Sequence, residues 1–474
     1  MINLFLNKKL NLKNDLILTV MNGLIVFLGV FLLNGYISRN LGLDYLGEYL
    51  LVRRVVLSAV GIVLVGLNIS IPTLIAKNIK HVADSAFILF VGISLPLIIL
   101  FTTLIQNNVL GEFPNIDFFS YSIFIIGICS QFIVYGLYRG HMNMIGANMI
   151  QFSSTALIPL IIFFLEPDLN DAFRNMGLLL TISNMIFFFI KNGKLKITHL
   201  FIKRTFQVLK FGIVRIPSII AQFILLAIVP IMISKNGNFS DVAYYTSSLA
   251  LLRSSLIIVG PIGIILLPRV AKAIASGQKF KVKAGIEVLI EMVVIFSLLA
   301  SISLSIFGGE ILELWLGEVS STGVWIVKTL LLFMPFYLFI DILRSPIDAM
   351  SEKGINSVIY SLAALVLILI YYLMIRLGYS EIRAGVISFG CAYLAASILA
   401  YVAVRNVLRI TLPSRLFFTI CITCVGILLF SHQTLKYFIE SNLMVSILYF
   451  TILLITTFVV AKIFFKRWKY KIIR

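Results

Sequence analysis

Among the ionisable side chains in the long apolar stretches of this 474-residue chain, six stand out: Arg53, Arg54, Arg215, Arg253, Lys328 and Asp341. An ionised group at the centre of a membrane-spanning helix costs about 2.5–3.5 kcal/mol on insertion scales, so each is a functional candidate. Arg253 is the deepest: about eleven residues into its stretch, roughly 17 Å at 1.5 Å per residue, it reaches the bilayer midplane. Arg53 and Arg54 lie two turns in and point about 100° apart, so one can face a cavity while the other snorkels. Arg215 and Lys328 are each about one turn from an end, where snorkelling competes, most strongly for Lys328. A guanidinium is a planar fork that grips phosphate oxygens bidentately. Several of them in a low-dielectric cavity offset their own desolvation only with an anion. A binder of cations would carry carboxylates instead, so the substrate is expected to be an anion. Asp341 stands three residues before Arg344, and an i, i+3 pair is its simplest role. The alternative is that it takes up H+ or Na+ and couples a gradient to transport. No cofactor or metal is expected.

The elements that must position these groups are about fourteen apolar stretches, each long enough to cross a ~30 Å hydrocarbon core. They run 15–38, 47–70, 83–105, 118–138, 148–165, 173–190, 211–234, 242–267, 286–307, 324–343, 355–376, 384–404, 412–430 and 443–465. The connections between them alternate in charge. One set carries Glu112 and Asp117, then Glu166, Asp168 and Asp171, then Glu310, Glu313 and Glu318. The other carries the bases from Lys191 to Lys210, those from Arg269 to Lys283, and the tail Lys466, Arg467, Lys469, Lys471 and Arg474. The basic side is cytoplasmic by the positive-inside rule, which places both termini in the cytoplasm. Lys8, Lys9 and Lys13 precede a first stretch too long for a signal-peptide core, so it is expected to stay as a helix.

With 60% hydrophobic residues the chain exceeds the usual composition of a soluble domain. The net charge of +19 is therefore topological, meeting anionic lipid headgroups and not nucleic acid. Cys421 and Cys424 form a CxxC, but in mid-stretch and without a nearby His, so they are expected to be packing residues. The longest outer connection, from Gly308 to Gly323, is too short to fold a catalytic domain, and no enzyme activity is expected.

A spacing repeats. Gly47-Glu48-Tyr49 opens the second stretch and Pro72 is expected to close it; Ala243-Tyr244-Tyr245 opens the eighth and Pro268 closes it at the same interval. The basic connection 191–210 is the natural hinge, giving an N-terminal lobe 1–190, the linker 191–210, a C-terminal lobe 211–405 and an appendix 406–474. Two repeats about an axis along the membrane normal are a transporter plan with the substrate between them. Pro217 and Pro230, Gly260-Pro261 and Pro335 are expected bending points. Asn22, Asn34, Ser58 and Gln222 supply small polar groups for a glycan.

Several segments carry a family resemblance: Ser38-Arg39-Asn40-Leu41-Gly42 followed by Tyr45-Leu46-Gly47-Glu48-Tyr49, Arg139-Gly140, Phe211-Gly212 with Pro217, and Val242-Ala243-Tyr244-Tyr245 through Leu267-Pro268. In these the chain resembles the Wzx-type O-antigen and polysaccharide flippases of the multidrug/oligosaccharidyl-lipid/polysaccharide (MOP) superfamily. The resemblance implies an all-α polytopic fold, two six-helix lobes in a V plus two C-terminal helices, with the first, second, seventh and eighth helices lining the cavity. Arg53, Arg54, Arg215 and Arg253 fall on that set. The implied substrate is an undecaprenyl-diphosphate-linked oligosaccharide turned to the outer leaflet of the bacterial inner membrane, with a polysaccharide polymerase as the implied partner. A lipid II flippase or a teichoic-acid exporter satisfies the same anion logic. A cation-coupled multidrug antiporter fits the charge sign less well, and a membrane polymerase or ligase fits the short outer connections less well.

Overall fold

The computed structural model describes residues 12–193, 201–235, 238–257, 279–350, 354–410, 415–438, 445, 448–449, 451–460 and 462. Gly260-Pro261, Pro268 and the basic tail lie outside them. The described residues are helical, with no strand among them. Such an outcome follows from the apolar stretches: without water, a helix satisfies every backbone group within its own segment.

In chain order the helices are α1 (Leu12–Asn40), α2 (Leu43–Val63), α3 (Leu67–Ala76), α4 (Val82–Gln106), α5 (Phe118–Gly140), α6 (Met144–Leu165) and α7 (Leu169–Asn192). Then come α8 (Phe201–Ile213), α9 (Ile216–Ser234), α10 (Phe239–Ser254), α11 (Lys279–Ile306), α12 (Gly308–Leu316), α13 (Ser321–Leu332) and α14 (Met334–Met350). The last are α15 (Ile355–Arg376), α16 (Glu381–Leu408), α17 (Arg415–Phe438) and α18 (Thr451–Val460). Among the described residues, nine helices are long and apolar enough to cross a membrane, or eleven if each of two bent pairs is one span. Shorter apolar helices occupy the expected thirteenth and fourteenth stretches. The chain is an all-α, multi-pass membrane protein.

Exposed and buried faces invert the soluble pattern. On α1, Met21, Leu24, Leu28 and Leu32 are exposed in a helical row, while Asn34 is 1% exposed and Asn22 donates to Gln151 Oε1 at 3.2 Å. A bilayer covers the apolar row and the polar groups turn inward. The Asn22 and Asn34 side chains therefore serve helix packing.

The second stretch is not one helix. α2 and α3 meet at a 57° bend, and Pro72 lies inside α3 instead of closing the stretch. Val65 (φ 50°) and Gly66 (φ 75°) are both left-handed, which ends α2 and starts a new axis. The seventh stretch is interrupted at 214–215, and the tenth bends by 42° at Phe333. Pro217 and Pro335 each sit at the second position of the helix that follows, where a missing N–H is harmless. The prolines begin new segments here, so the bending points belong to the residues just before them.

The chain divides into two compact units. Unit 1 runs to Ser247 and adds Glu313–Glu318 and Leu373–Gly385; unit 2 takes Ser248–Leu312, Val319–Tyr372 and the chain from Val386. This division differs from the expected hinge at 191–210, because α8, α9 and the start of α10 pack on the N-terminal helices. A Cβ at Gly212 would stand 2.2 Å from the Val65 carbonyl oxygen, and one at Gly66 would stand 2.6 Å from that of Gly212. A Cβ at Gly47 would overlap the Phe239 carbonyl at 1.8 Å. Glycine is the residue that permits these backbones to touch.

Unit 1 also tests the alternation of loop charge. At one end Tyr45 donates to the Pro167 carbonyl at 2.7 Å, Asp117 N donates to Asn170 Oδ1 at 3.0 Å, and Arg39 donates to the Leu314 carbonyl. At the other end Asn192 donates to Asp84 at 2.9 Å. The loops sorted by sign meet others of their own set. Burial pushes the Asp117 carboxyl up, but hydrogen bonds from Ser120 and Asn170 outweigh it and hold it below the usual carboxylate range. Trp315 of α12 stacks on Phe31 at 4.8 Å and donates to its carbonyl at 2.7 Å, which ties the outer connection to α1. In unit 2, Cys421 and Cys424 pack with Ile295, Leu299 and Leu428 as apolar residues.

Gly212→Ala is expected to destabilise by about 1–3 kcal/mol, because rigid backbone faces the new methyl. Gly285→Ala, with nothing within 4 Å, should be neutral or slightly stabilising. Thermal unfolding of the purified variants checks the contrast.

Candidate functional site

In unit 1 the second stretch carries Arg53 and Arg54 on adjacent positions of α2, facing different neighbours. Arg53 Nη2 donates to the Thr155 carbonyl at 3.2 Å, and its guanidinium carbon lies 5.8 Å from the Tyr49 ring centroid. That carbonyl is free to accept because Ser153–Leu157 forms a π turn inside α6. Such a turn takes carbonyls out of the regular helical ladder, and π turns recur at functional sites. Gln131 Nε2 contacts Thr155 Oγ1 at 3.4 Å, so three helices share one polar seam. Arg54 is half-buried and lies near the Tyr245 hydroxyl of α10. Neither arginine is in a snorkelling position at a helix end.

Arg215 is elsewhere. It caps α9 at the break after α8, donates to the Phe211 carbonyl at 2.9 Å, and lies 3.8 Å from the Phe211 ring centroid. A guanidinium that close to a ring face makes a cation–π contact. Sequence spacing had put it one turn inside a continuous helix; the break puts it at a helix start.

Unit 2 holds Arg253 near the end of α10, half-buried. Tyr337 of α14 hydrogen-bonds its side chain, and Tyr393 of α16 and Asp341 of α14 lie within electrostatic reach. The Tyr337 and Tyr393 rings are 5.0 Å apart and tilted, and Phe389 extends the aromatic cluster at 4.6 Å from Tyr393. Arg344 is the second base around Asp341, with Tyr360 of α15 at 5.9 Å from its guanidinium carbon. Asn356 Nδ2 closes the inner end, donating to the Arg344 carbonyl at 2.8 Å and to Asp348 at 2.7 Å. Asp341 therefore lies within electrostatic reach of two arginines from two helices, Arg344 and Arg253. Lys328 is exposed on α13, away from this cluster, as an anchoring lysine would be.

Spacing singled out Arg253 and Asp341 separately and missed the tyrosines that join them. Tyr337, Tyr360 and Tyr393 come from three helices, each in a stretch where a tyrosine reads as apolar. Glu291 was also passed over: 3% exposed within α11, it is another carboxylate inside a span. It falls barely a turn and a half into the expected stretch and reads as loop. The site residues thus fall into two sets, Arg53, Arg54 and Arg215 in unit 1, and Arg253, Lys328 and Asp341 in unit 2.

No family model matches the chain, and no curated protein matches it in sequence. Solved structures do match in fold. A lipid II flippase, MurJ, in an inward closed conformation is similar with a TM-score of 0.69 and 15% identity, over 95% of this chain and 99% of its own. An inward-facing multidrug resistance MATE transporter of the MOP superfamily matches at 0.63 and 15%, over 82% of this chain and 94% of its own. The Vibrio cholerae MATE transporter VcmN, as a point mutant, matches at 0.59 and 16%, over 86% and 98%. The fold is thus the one shared by these MOP-superfamily transporters.

Proposed function

We propose that the chain is a flippase, a transporter and not an enzyme, that turns an undecaprenyl-diphosphate-linked oligosaccharide from the inner to the outer leaflet of the bacterial inner membrane. The observation that carries this is the extent of the likeness. The lipid II flippase accounts for 95% of the chain, whereas the MATE transporters account for 82–86% of it while using 94–98% of their own length. The surplus over the MATE chains is close in size to region 406–474. A transporter with that extra region and midplane arginines suits a lipid-linked anion better than a soluble cation. The diphosphate is assigned to Arg253 of unit 2, the sugars to the wet interior, and the prenyl tail to lipid; polysaccharide polymerase is the expected downstream partner.

Asp341 then acts as a resident counter-charge. Two guanidiniums repel a cation from its carboxylate by simple Coulomb interaction. When a diphosphate takes up the Arg253 guanidinium, Asp341 keeps only Arg344 beside it and accepts H+ or Na+ more readily. Coupling would thereby follow from substrate binding. A lipid II flippase or teichoic-acid exporter uses the same groups with another glycan, and the MurJ likeness favours lipid II as the second reading.

Arg253→Ala, expressed in a strain lacking its polysaccharide flippase, should lose surface polysaccharide at normal protein level and strand lipid-linked units inside, with Arg253→Lys rescuing poorly. Growth rescue of a lipid II flippase-null strain instead would select the second reading. A double-mutant cycle of Arg253→Gln with Asp341→Asn on thermal stability should give a coupling of about 0.5–3 kcal/mol; additive effects would remove the counter-charge account.

A further inference from the structure

Unit 1 has a cleft at the end that loop charge assigns to the cytoplasm, and none of the candidate transport residues lines it. It is about 610 Å3, formed by the connections α3–α4 and α5–α6 and the end of α7. Its lining carries four basic side chains, Lys80, His81, His141 and Lys191, against one carboxylate, Asp84. Both Asp84 oxygens are engaged, one by Asn192 Nδ2 at 2.9 Å and the other by His81 Nδ1 at 3.1 Å. Lys191 is steadied over the Tyr138 ring at 5.6 Å. Asn143, only 2% exposed, uses its Oδ1 to cap α6 through Gly146 N, while its Nδ2 donates to no protein acceptor. A buried amide donor left without a protein acceptor costs about 1–3 kcal/mol, so the wall beneath the cleft keeps unmet hydrogen-bonding capacity. His81 and Asn143 are also the N-caps of α4 and α6, so two helices begin at the cleft with their positive dipole ends.

We propose that this cleft binds a phosphate group at the cytoplasmic surface, held by Lys80, Lys191 and His141. The ligand is a phosphate ester or diphosphate, carried either on an inner-leaflet lipid headgroup or on a soluble molecule. The volume suits a headgroup-sized ligand and exceeds a lone phosphate. The site is independent of the transport reading, since none of its residues belongs to the arginine sets.

Lysine reactivity in the native chain tests this without a variant. The protein is placed in phosphatidylcholine nanodiscs, with inorganic pyrophosphate added in one arm and phosphatidylglycerol doped into the disc in the other. Acetylation of each lysine is followed by mass spectrometry. Protection of Lys80 and Lys191 by about fivefold or more over Lys203 of α8 is expected in at least one arm. Protection by pyrophosphate alone identifies a soluble ligand, by phosphatidylglycerol alone a lipid headgroup, and by both the shared phosphate chemistry. Equal reactivity in both arms overturns the proposal. Lys80→Gln with Lys191→Gln should weaken binding of the protecting ligand about tenfold or more, and unchanged binding also overturns it.

Discussion

A hydrocarbon core offers no water to a polar group, and the structure is organised by that single constraint. Every charge and carbonyl inside a span must find its partner in the protein, since a group left bare costs several kcal/mol. Arg53 finds the Thr155 carbonyl, and that carbonyl is available because α6 widens into a π turn. Arg253 finds Tyr337 and stands near Asp341, with a cluster of aromatic rings behind it. In each case a local departure from the plain apolar helix accompanies a buried guanidinium.

The same constraint shapes the breaks. Interrupting a spanning helix frees backbone groups, so each break here is placed where another element meets it. The left-handed pair Val65 and Gly66 abuts Gly212, and the bend at Phe333 is followed by Pro335, whose missing N–H needs no acceptor. Side chains then follow the breaks: Arg215 moves from helix interior to helix cap and folds onto Phe211.

Much of the fold was legible in the sequence because its signals are local. Apolar length gave the all-helical, multi-pass plan, and charge sign sorted Tyr45 with Pro167 and Asp84 with Asn192 before any contact was known. Arg253 was legible as a buried charge. Its surroundings were not, because Tyr337, Tyr360 and Tyr393 converge only through packing of α14, α15 and α16. The break after Val63 was hidden because no proline marks it, and Pro72 drew attention to the wrong place. The docking of Trp315 on Phe31 was not legible, because it needs the tertiary structure. The close approaches at Gly212 and Gly47 were hidden for a similar reason, since a glycine signals contact only when its neighbours are known.

The central claim is that the Arg253 guanidinium serves a lipid-linked diphosphate. It is tested most directly with purified protein in liposomes containing a polyprenyl-diphosphate-linked oligosaccharide, whose outward-facing fraction is read by a membrane-impermeant glycan-modifying enzyme. Protein-dependent movement of the diphosphate lipid between leaflets is the predicted result, inhibited by excess of its soluble head. Export of cationic dyes with no movement of the diphosphate lipid would contradict it.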